Sequence, residues 1–558
     1  MLKRMRLIFS SSRSTMLAAG LVLATFWAGS AACAQSSTGT ARDGDSFVLQ
    51  PDRFHHYTEE FVRQEREATG KDAADPWPWM LANIPWFESS DPHFQEIYYF
   101  RWYSFQKHIV PTPRGPVISE FIPRMKWAGY GNTVGVAVPH QLREARWLRD
   151  PTLAESDARF WLSSDAPHRR DYSLALADSI FAVSLANGDN KLSEDLLPAM
   201  IDNYRAWQQT HQDSNGLYWS IDTRDGMEVS ISGDGYRPTL NSYMYGDARA
   251  IERIAALKGD TALSQKFAQE AAAQRQRIET MLWNPKDQFY EVVSPAADSG
   301  IRKQIKFKDP HTTMQFSGVR ELIGYIPWYF DIPAADHAVA WKQIDDPQGF
   351  AAKFGPSTAE RRSPWFRYAN DDQCQWNGPM WGFATTQTLV AMANLLEDQK
   401  QNVVDRADYL HLFATYVSTH HLRLPDGEVI PWLDEAMDPD TGEWITRQVL
   451  IDRKSPLIGR GAYYDHSGFA DPLLTGLVGL RPRPDNLVVI DPLLPKGSWS
   501  YFAVDGLPYH GHVLTILYDA TGTRYHRGRG LILLVDGQRV ASRRDLGEIR
   551  YSLPTTVR

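Results

Sequence analysis

Asp222, Asp225, Glu228 and Asp234 crowd one glycine-rich stretch that runs through Arg237 into a helical pattern at Leu240 and Asn241. A carboxyl held near apolar Met227 and aromatic neighbours keeps its proton more tightly, as a general acid must. A second acidic stretch carries Trp432, Asp434 and Glu435 and ends in a turn, Asp438-Pro439-Asp440-Thr441-Gly442. Paired with Glu228, Glu435 could supply the second carboxylate of a glycosidic-bond hydrolase. Spacing alone leaves the acid open between Glu228, Asp225 and Asp234. The competing reading of the first stretch is a solvated acidic turn that caps a helix.

Flat rings beside polar groups suit a sugar, which stacks on one and hydrogen-bonds the other. Trp376, Asn377 and Trp381 lead into a helix, with Pro379 suited to its first turn. Arg101 with Trp102, and Lys126 with Trp127, fit either a subsite or a cation–π element of the core. Cys374 is one of only two cysteines in the chain and reads as a structural thiol. The histidines His140, His420, His421 and His466 are scattered, and a core or rim position is the default for each. The chain has no Cys-x-x-Cys, no His-Glu-x-x-His, no phosphate-cradling Gly-x-x-x-x-Gly-Lys and no Gly-x-Ser-x-Gly elbow. Neither a metal nor another cofactor is therefore expected.

The carboxylates above, with Lys126, Trp127, Cys374, Trp432 and His466, sit in long, non-periodic connections inside the helical part, at 76–86, 118–139, 222–238, 350–375 and 425–471. Such loops in a compact domain usually carry function. The helices show as apolar stripes at three-to-four spacing: Tyr172–Ala186, Leu192–His211, Leu240–Ala255, Thr261 to about Trp283, Met380–Glu397 and Val403–His420. After about Leu480 the pattern turns to short β-rich runs, Leu487–Ile490, His512–Tyr518 and Leu531–Val535, with turns at Asp519–Gly522 and Asp536-Gly537. Residues 51–480 are thus expected to form a mainly α toroid, and 481–558 a small antiparallel, β-sandwich-like domain.

The motifs taken in order resemble the (α/α)6-barrel glycoside hydrolases of the trehalase and family 63 α-glucosidase group, in particular the mannosylglycerate-hydrolase-like branch. Gly226-Met227-Glu228-Val229-Ser230 stands where the group has Gly-(Met/Trp)-Asp-x-Ser, and Leu240-Asn241-Ser242-Tyr243-Met244-Tyr245 matches its Leu-Asn-x-Tyr-x-Tyr. Trp376-Asn377-Gly378-Pro379-Met380-Trp381 answers to Trp-Arg-Gly-Pro-x-Trp. Glu435-Ala436-Met437-Asp438-Pro439-Asp440-Thr441-Gly442 answers to Glu-x-Tyr-x-Pro-x-Thr-Gly. Two departures are the glutamate at 228 in place of aspartate and Asn377 in place of arginine. The resemblance implies an inverting, exo-acting glycosidase with Glu228 as general acid and Glu435 as general base. Trp102, Lys126, Trp127, Arg237, Asn241, Trp376, Asn377, Trp381, Trp432 and His466 are then the expected sugar-binding residues.

The 558 residues carry a net charge of −8, with basic residues spread along the chain, which disfavours a nucleic-acid partner. Hydrophobic residues make up 43% and aromatic ones 12%, with 19 Trp, which excludes a disordered or fibrous chain. Lys3, Arg4, Arg6 and Arg13 precede an apolar run, Met16–Ala28, and Ala32-Cys33-Ala34 is a small-x-small cleavage site. Residues 1–34 are expected to be an export signal and 35–50 a disordered leader, giving a periplasmic or secreted protein with no membrane span after cleavage. The rival readings are a polysaccharide lyase on a similar toroid, with His466 and Tyr464 near its base, a catalytically silent sugar-binding protein, and a phosphorylase.

Overall fold

The computed structural model describes residues 48–296, 314–368 and 374–554. The expected export signal lies outside the described residues, as does Gln373 beside the Trp376 motif. The last residues of the expected leader belong to the fold: Leu49 is buried, and its N–H donates to Asp505 at 2.7 Å.

Helix boundaries follow local chemistry. Asp91 caps the helix Pro92–Gln106 by accepting from the His93 N–H at 3.0 Å, with Pro92 in the first turn. The helix Leu176–Asn187 stops at Gly188, whose φ of 66° is a left-handed cap that a side chain would disfavour. Asp260, one residue before the expected Thr261, caps Thr261–Arg277. Asp405 and Asp408 form a reciprocal capping box on Arg406–Ser418. The helices Leu176–Asn187 and Gly382–Asp398 are buried on nearly every face, as inner-layer helices must be.

The inner layer closes on itself. Val138–Ala145 packs on Leu176–Asn187, which packs on Pro238–Leu257, then Ile326–Tyr329, Gly382–Asp398 and the short turn Ala470–Pro472, which returns to Val138–Ala145. Outside them run Thr152–Trp161, Lys191–His211, Thr261–Arg277, Ala335–Gln343, Arg406–Ser418 and Pro92–Gln106. This is the (α/α)6 barrel. Glu144 fastens the closure: its carboxylate accepts the N–H groups of Phe469, Ala470 and Asp471 at 2.7, 3.0 and 2.9 Å. Arg146 Nε donates to Asp471 at 2.8 Å beside it.

The C-terminal sheet is antiparallel, in the order Trp86–Ser89, Tyr501–Tyr509, His512–Asp519, Gly530–Val535, Gln538–Arg543. Leu487–Ile490 pairs with Ile549–Ser552 beside it. The expected strands fall where the β-rich runs placed them. Trp86–Ser89 is different, because Trp86 ends a stretch whose pattern reads as a loop. It is an edge strand whose partner lies some four hundred positions later (Trp86 opposite Asp505), a pairing that local sequence does not encode. Phe87 on this strand is fully buried against Tyr98 of the helix Pro92–Gln106 and Trp499 of the tail. Phe87→Ala should cost about 3–5 kcal/mol, the toll of emptying a buried aromatic site, measured as a lower midpoint in denaturant unfolding.

Candidate active site

Three segments of the sequence meet at one cavity of about 370 Å³. Glu228, Cys374, Trp376, Trp381 and Glu435 line it, together with Glu120, Phe121, Trp127, Tyr172, Phe383, Arg460, Tyr464 and His466. Backbone hydrogen bonds hold the segments together. The Trp376 N–H donates to the Glu228 carbonyl at 3.0 Å. Met380 and Met437 exchange N–H···O bonds of 2.9 and 3.0 Å, so the tryptophan segment is also stitched to the Glu435 segment.

The Glu228 loop is built on a buried ion pair. Asp225 accepts from Arg237 Nε at 2.5 Å and from the Thr239 and Ser173 hydroxyls. Arg237 is fully buried and also reaches the Gly233 carbonyl. Asn241 holds the same corner from the helix: its amide donates to the Tyr218 and Arg237 carbonyls, both at 2.8 Å. Gly226 turns the chain at φ 68°, and Val229, next to Glu228, sits at φ 64°. A β-branched residue pays for that conformation, and such strain gathers at working sites. The Cys374 thiol donates to Glu228 Oε2 at 3.0 Å. Burial pushes the thiol well up from its ordinary range, and the Glu228 and Glu435 charges add to this, so it stands there as a neutral donor.

Glu435 is 2% exposed. Its two oxygens accept from Arg460 Nε and Nη2 at 2.6 and 2.7 Å, a bidentate fork. Burial pushes its pKa up to about 7, against the pull of Arg460. Gly461 allows this approach, because a Cβ there would stand 2.0 Å from an Asp434 oxygen. The Arg460 guanidinium also lies 5.5 Å from the centre of the Trp127 ring. Trp376 and Trp381 stack at 4.6 Å with ring planes 11° apart. Tyr464 stacks on His466 at 3.8 Å and donates its hydroxyl to Glu120 at 2.9 Å.

Of the expected sugar-binding residues, Trp127, Trp376, Trp381 and His466 line the cavity. The others do not. Trp102 is a core residue, edge-on to Tyr98 and Phe105. Lys126 points to solvent beside Trp127. Arg237 and Asn241 are consumed inside the Glu228 loop. Asn377 is fully buried, and its carbonyl accepts from the Arg367 N–H at 2.7 Å. Trp432 is buried against Tyr463, with its indole N–H on Asp434 at 3.3 Å. Among the alternative acids, Asp225 lies at the wall with its carboxylate committed to Arg237 and the two hydroxyls, while Asp234 accepts from the Asp222 N–H at 3.1 Å within its own turn. Sequence reasoning missed Glu120 and Arg460. No motif marks Glu120; the Gly459-Arg460-Gly461 pattern was the only local sign of a close approach.

Residues 130–467 match the mannosylglycerate hydrolase MGH1-like glycoside hydrolase domain, and residues 480–542 match the C-terminal domain of glycosyl hydrolase family 65. The chain belongs to the MGH1-like glycoside hydrolase family. The matched domain contains the Glu228, Trp376 and Glu435 segments. A solved structure named a sialidase is 36% identical, with a TM-score of 0.82 over 92% of this chain; the match spans 46% of that protein's length. A family 63 mannosylglycerate hydrolase from Thermus thermophilus, in complex with glucose, is 12% identical, with a TM-score of 0.45 over 67% of this chain and 98% of its own. Among the described residues no group of three or more His, Cys, Asp or Glu is arranged for a metal ion, and no helix is long and apolar enough to cross a membrane.

The geometry separates anchors from the cavity wall. Removing Arg237 leaves Asp225 buried without its cation, so Arg237→Ala should lower stability by about 3–5 kcal/mol, read from chemical denaturation. A variant that kept wild-type stability and lost only substrate affinity would return Arg237 to the sugar site.

Proposed function

We propose that the chain is an exported, inverting, exo-acting glycoside hydrolase in which Glu228 protonates the glycosidic oxygen and Glu435 activates water. The observation that carries this reading is the placement of both carboxyls on one small cavity beside a stacked tryptophan pair. An inverting site needs a proton donor on one side of the anomeric carbon and a base with room for water on the other, the carboxyls standing about 6.5–9.5 Å apart. Arg460 fits Glu435 for the base, since its fork stabilises the ionised form that must take a proton from water. Glu228 fits the acid: it lines the cavity, and the neutral Cys374 thiol donates to its Oε2. The tryptophans offer a flat face for the sugar. About 370 Å³ lies at the small end of ligand pockets, which suits one terminal sugar. Export rests on the basic residues, apolar run and Ala32-Cys33-Ala34 site at the N-terminus.

Charge narrows the substrate. Glu120, Glu228 and Glu435 share the cavity, and Arg460, the one arginine among its described lining residues, is committed to Glu435. A sugar carrying its own carboxylate would find no uncommitted arginine among those lining residues, so a neutral glycoside is favoured. The substrate named for the sialidase relative, a protein about twice as long, is not carried over. The same balance argues against a lyase, which needs a free cation to neutralise a uronate.

Proton NMR of the first product should show the anomer opposite to that of the substrate; retention would overturn the mechanism. Glu435→Gln should lower kcat by about 10²–10⁴ on every substrate, whereas Glu228→Gln should keep turnover of a glycosyl fluoride, whose leaving group needs little protonation. Because the base works ionised, kcat/KM should fall as the pH drops below about 7. Arg460→Gln removes the cation that favours the ionised form, so that limb should move to higher pH.

A further inference from the structure

We propose that Glu120 binds a hydroxyl of the sugar held in this cavity and selects for that hydroxyl. The inference rests on the glycoside-hydrolase reading above and adds a residue to it. Glu120 is 2% exposed, yet it lines the cavity. Its backbone is fixed by the Asp465 N–H, which donates to its carbonyl at 3.2 Å, and its Oε1 is fixed by the Tyr464 hydroxyl at 2.9 Å. Among the described residues, no hydrogen bond reaches Oε2. With one oxygen held and the other open to the cavity, this carboxyl is placed to receive a partner from it.

Its protonation state suits the role. Of the four acidic residues that line the cavity, Asp225 is paired with Arg237 and Glu435 with Arg460, so among the described residues Glu120 has a phenol, not a cation, to stabilise a charge. Burial raises its pKa well above the usual carboxylate range, with Glu435, Asp465 and Glu228 adding to the rise. A neutral carboxyl donates one hydrogen bond to a sugar oxygen and does not compete with the general acid for negative charge. His466, beside it on the stacked Tyr464, lines the same wall.

The test uses the p-nitrophenyl glycoside that the wild type turns over fastest, its monodeoxy analogues, and the matching glycosyl fluoride. Glu120→Leu should lower kcat/KM on the parent glycoside by about 10²–10³-fold and on one monodeoxy analogue by less than about tenfold, because a site built around a hydroxyl is indifferent once both partners are gone. Glu120→Gln, which keeps a donor in place, should fall by less than about tenfold on the parent. Equal losses on the parent and on every deoxy analogue would mark a structural role and overturn the proposal. So would a Glu120→Gln defect confined to the aryl glycoside and absent on the fluoride, which would make Glu120 the general acid instead. A wild type that hydrolyses none of a broad glycoside panel would overturn the hydrolase reading itself, and this inference with it. Circular dichroism and the unfolding midpoint of both variants separate a binding defect from a folding one.

Discussion

The candidate site depends on the seam between the Trp376–Trp381 segment and its two neighbours. One backbone bond joins it to the Glu228 loop and a pair joins it to the Glu435 segment. Backbone amides inside a protein must be paired, and here the pairing places two carboxyls and a tryptophan stack around one space. Those bonds run between main-chain atoms, and the Thr358 hydroxyl adds side-chain bonds to the Trp376 and Pro379 carbonyls. The (α/α)6 ring beneath supplies the fixed distance between loop ends, and Glu144 and Arg146 lock its first and last inner segments together.

Charge is arranged in two tiers. In one, Asp225 at the wall and the fully buried Arg237 neutralise one another and give the Glu228 loop a rigid base. At the cavity wall, carboxyls outnumber cations, and Arg460 is assigned to Glu435 by its fork. The carboxyls are therefore differentiated by their partners: a guanidinium for Glu435, a thiol for Glu228, a phenol for Glu120. Groups of one type with different partners can hold different protonation states at one pH, which is what acid–base chemistry on a sugar requires.

Much of the fold was legible because it is locally encoded. Apolar stripes, Gly188 and the Asp-rich caps mark helix bodies and ends, and the β-rich runs after residue 480 are the strands found. The strand Trp86–Ser89 was not legible, because its pairing partner is remote in sequence. In the site, residue type misled where burial decided. Arg237, Asn241, Asn377, Trp102 and Trp432 have the chemistry of sugar ligands, yet each is consumed by packing or by protein hydrogen bonds. Trp127 and Lys126 are adjacent, and only one turns to the cavity.

Sequence by itself determined the helical toroid with its β-rich tail, the order of the motifs, and the two carboxylates worth pairing, since each is written in periodicity or in a short run of residues. Tertiary structure alone decided that Glu228 and Glu435 share a cavity, that Arg460 forks onto Glu435, and that Glu120 joins them. Those facts depend on segments hundreds of positions apart being brought into hydrogen-bond range, and on which side chains the core had already claimed.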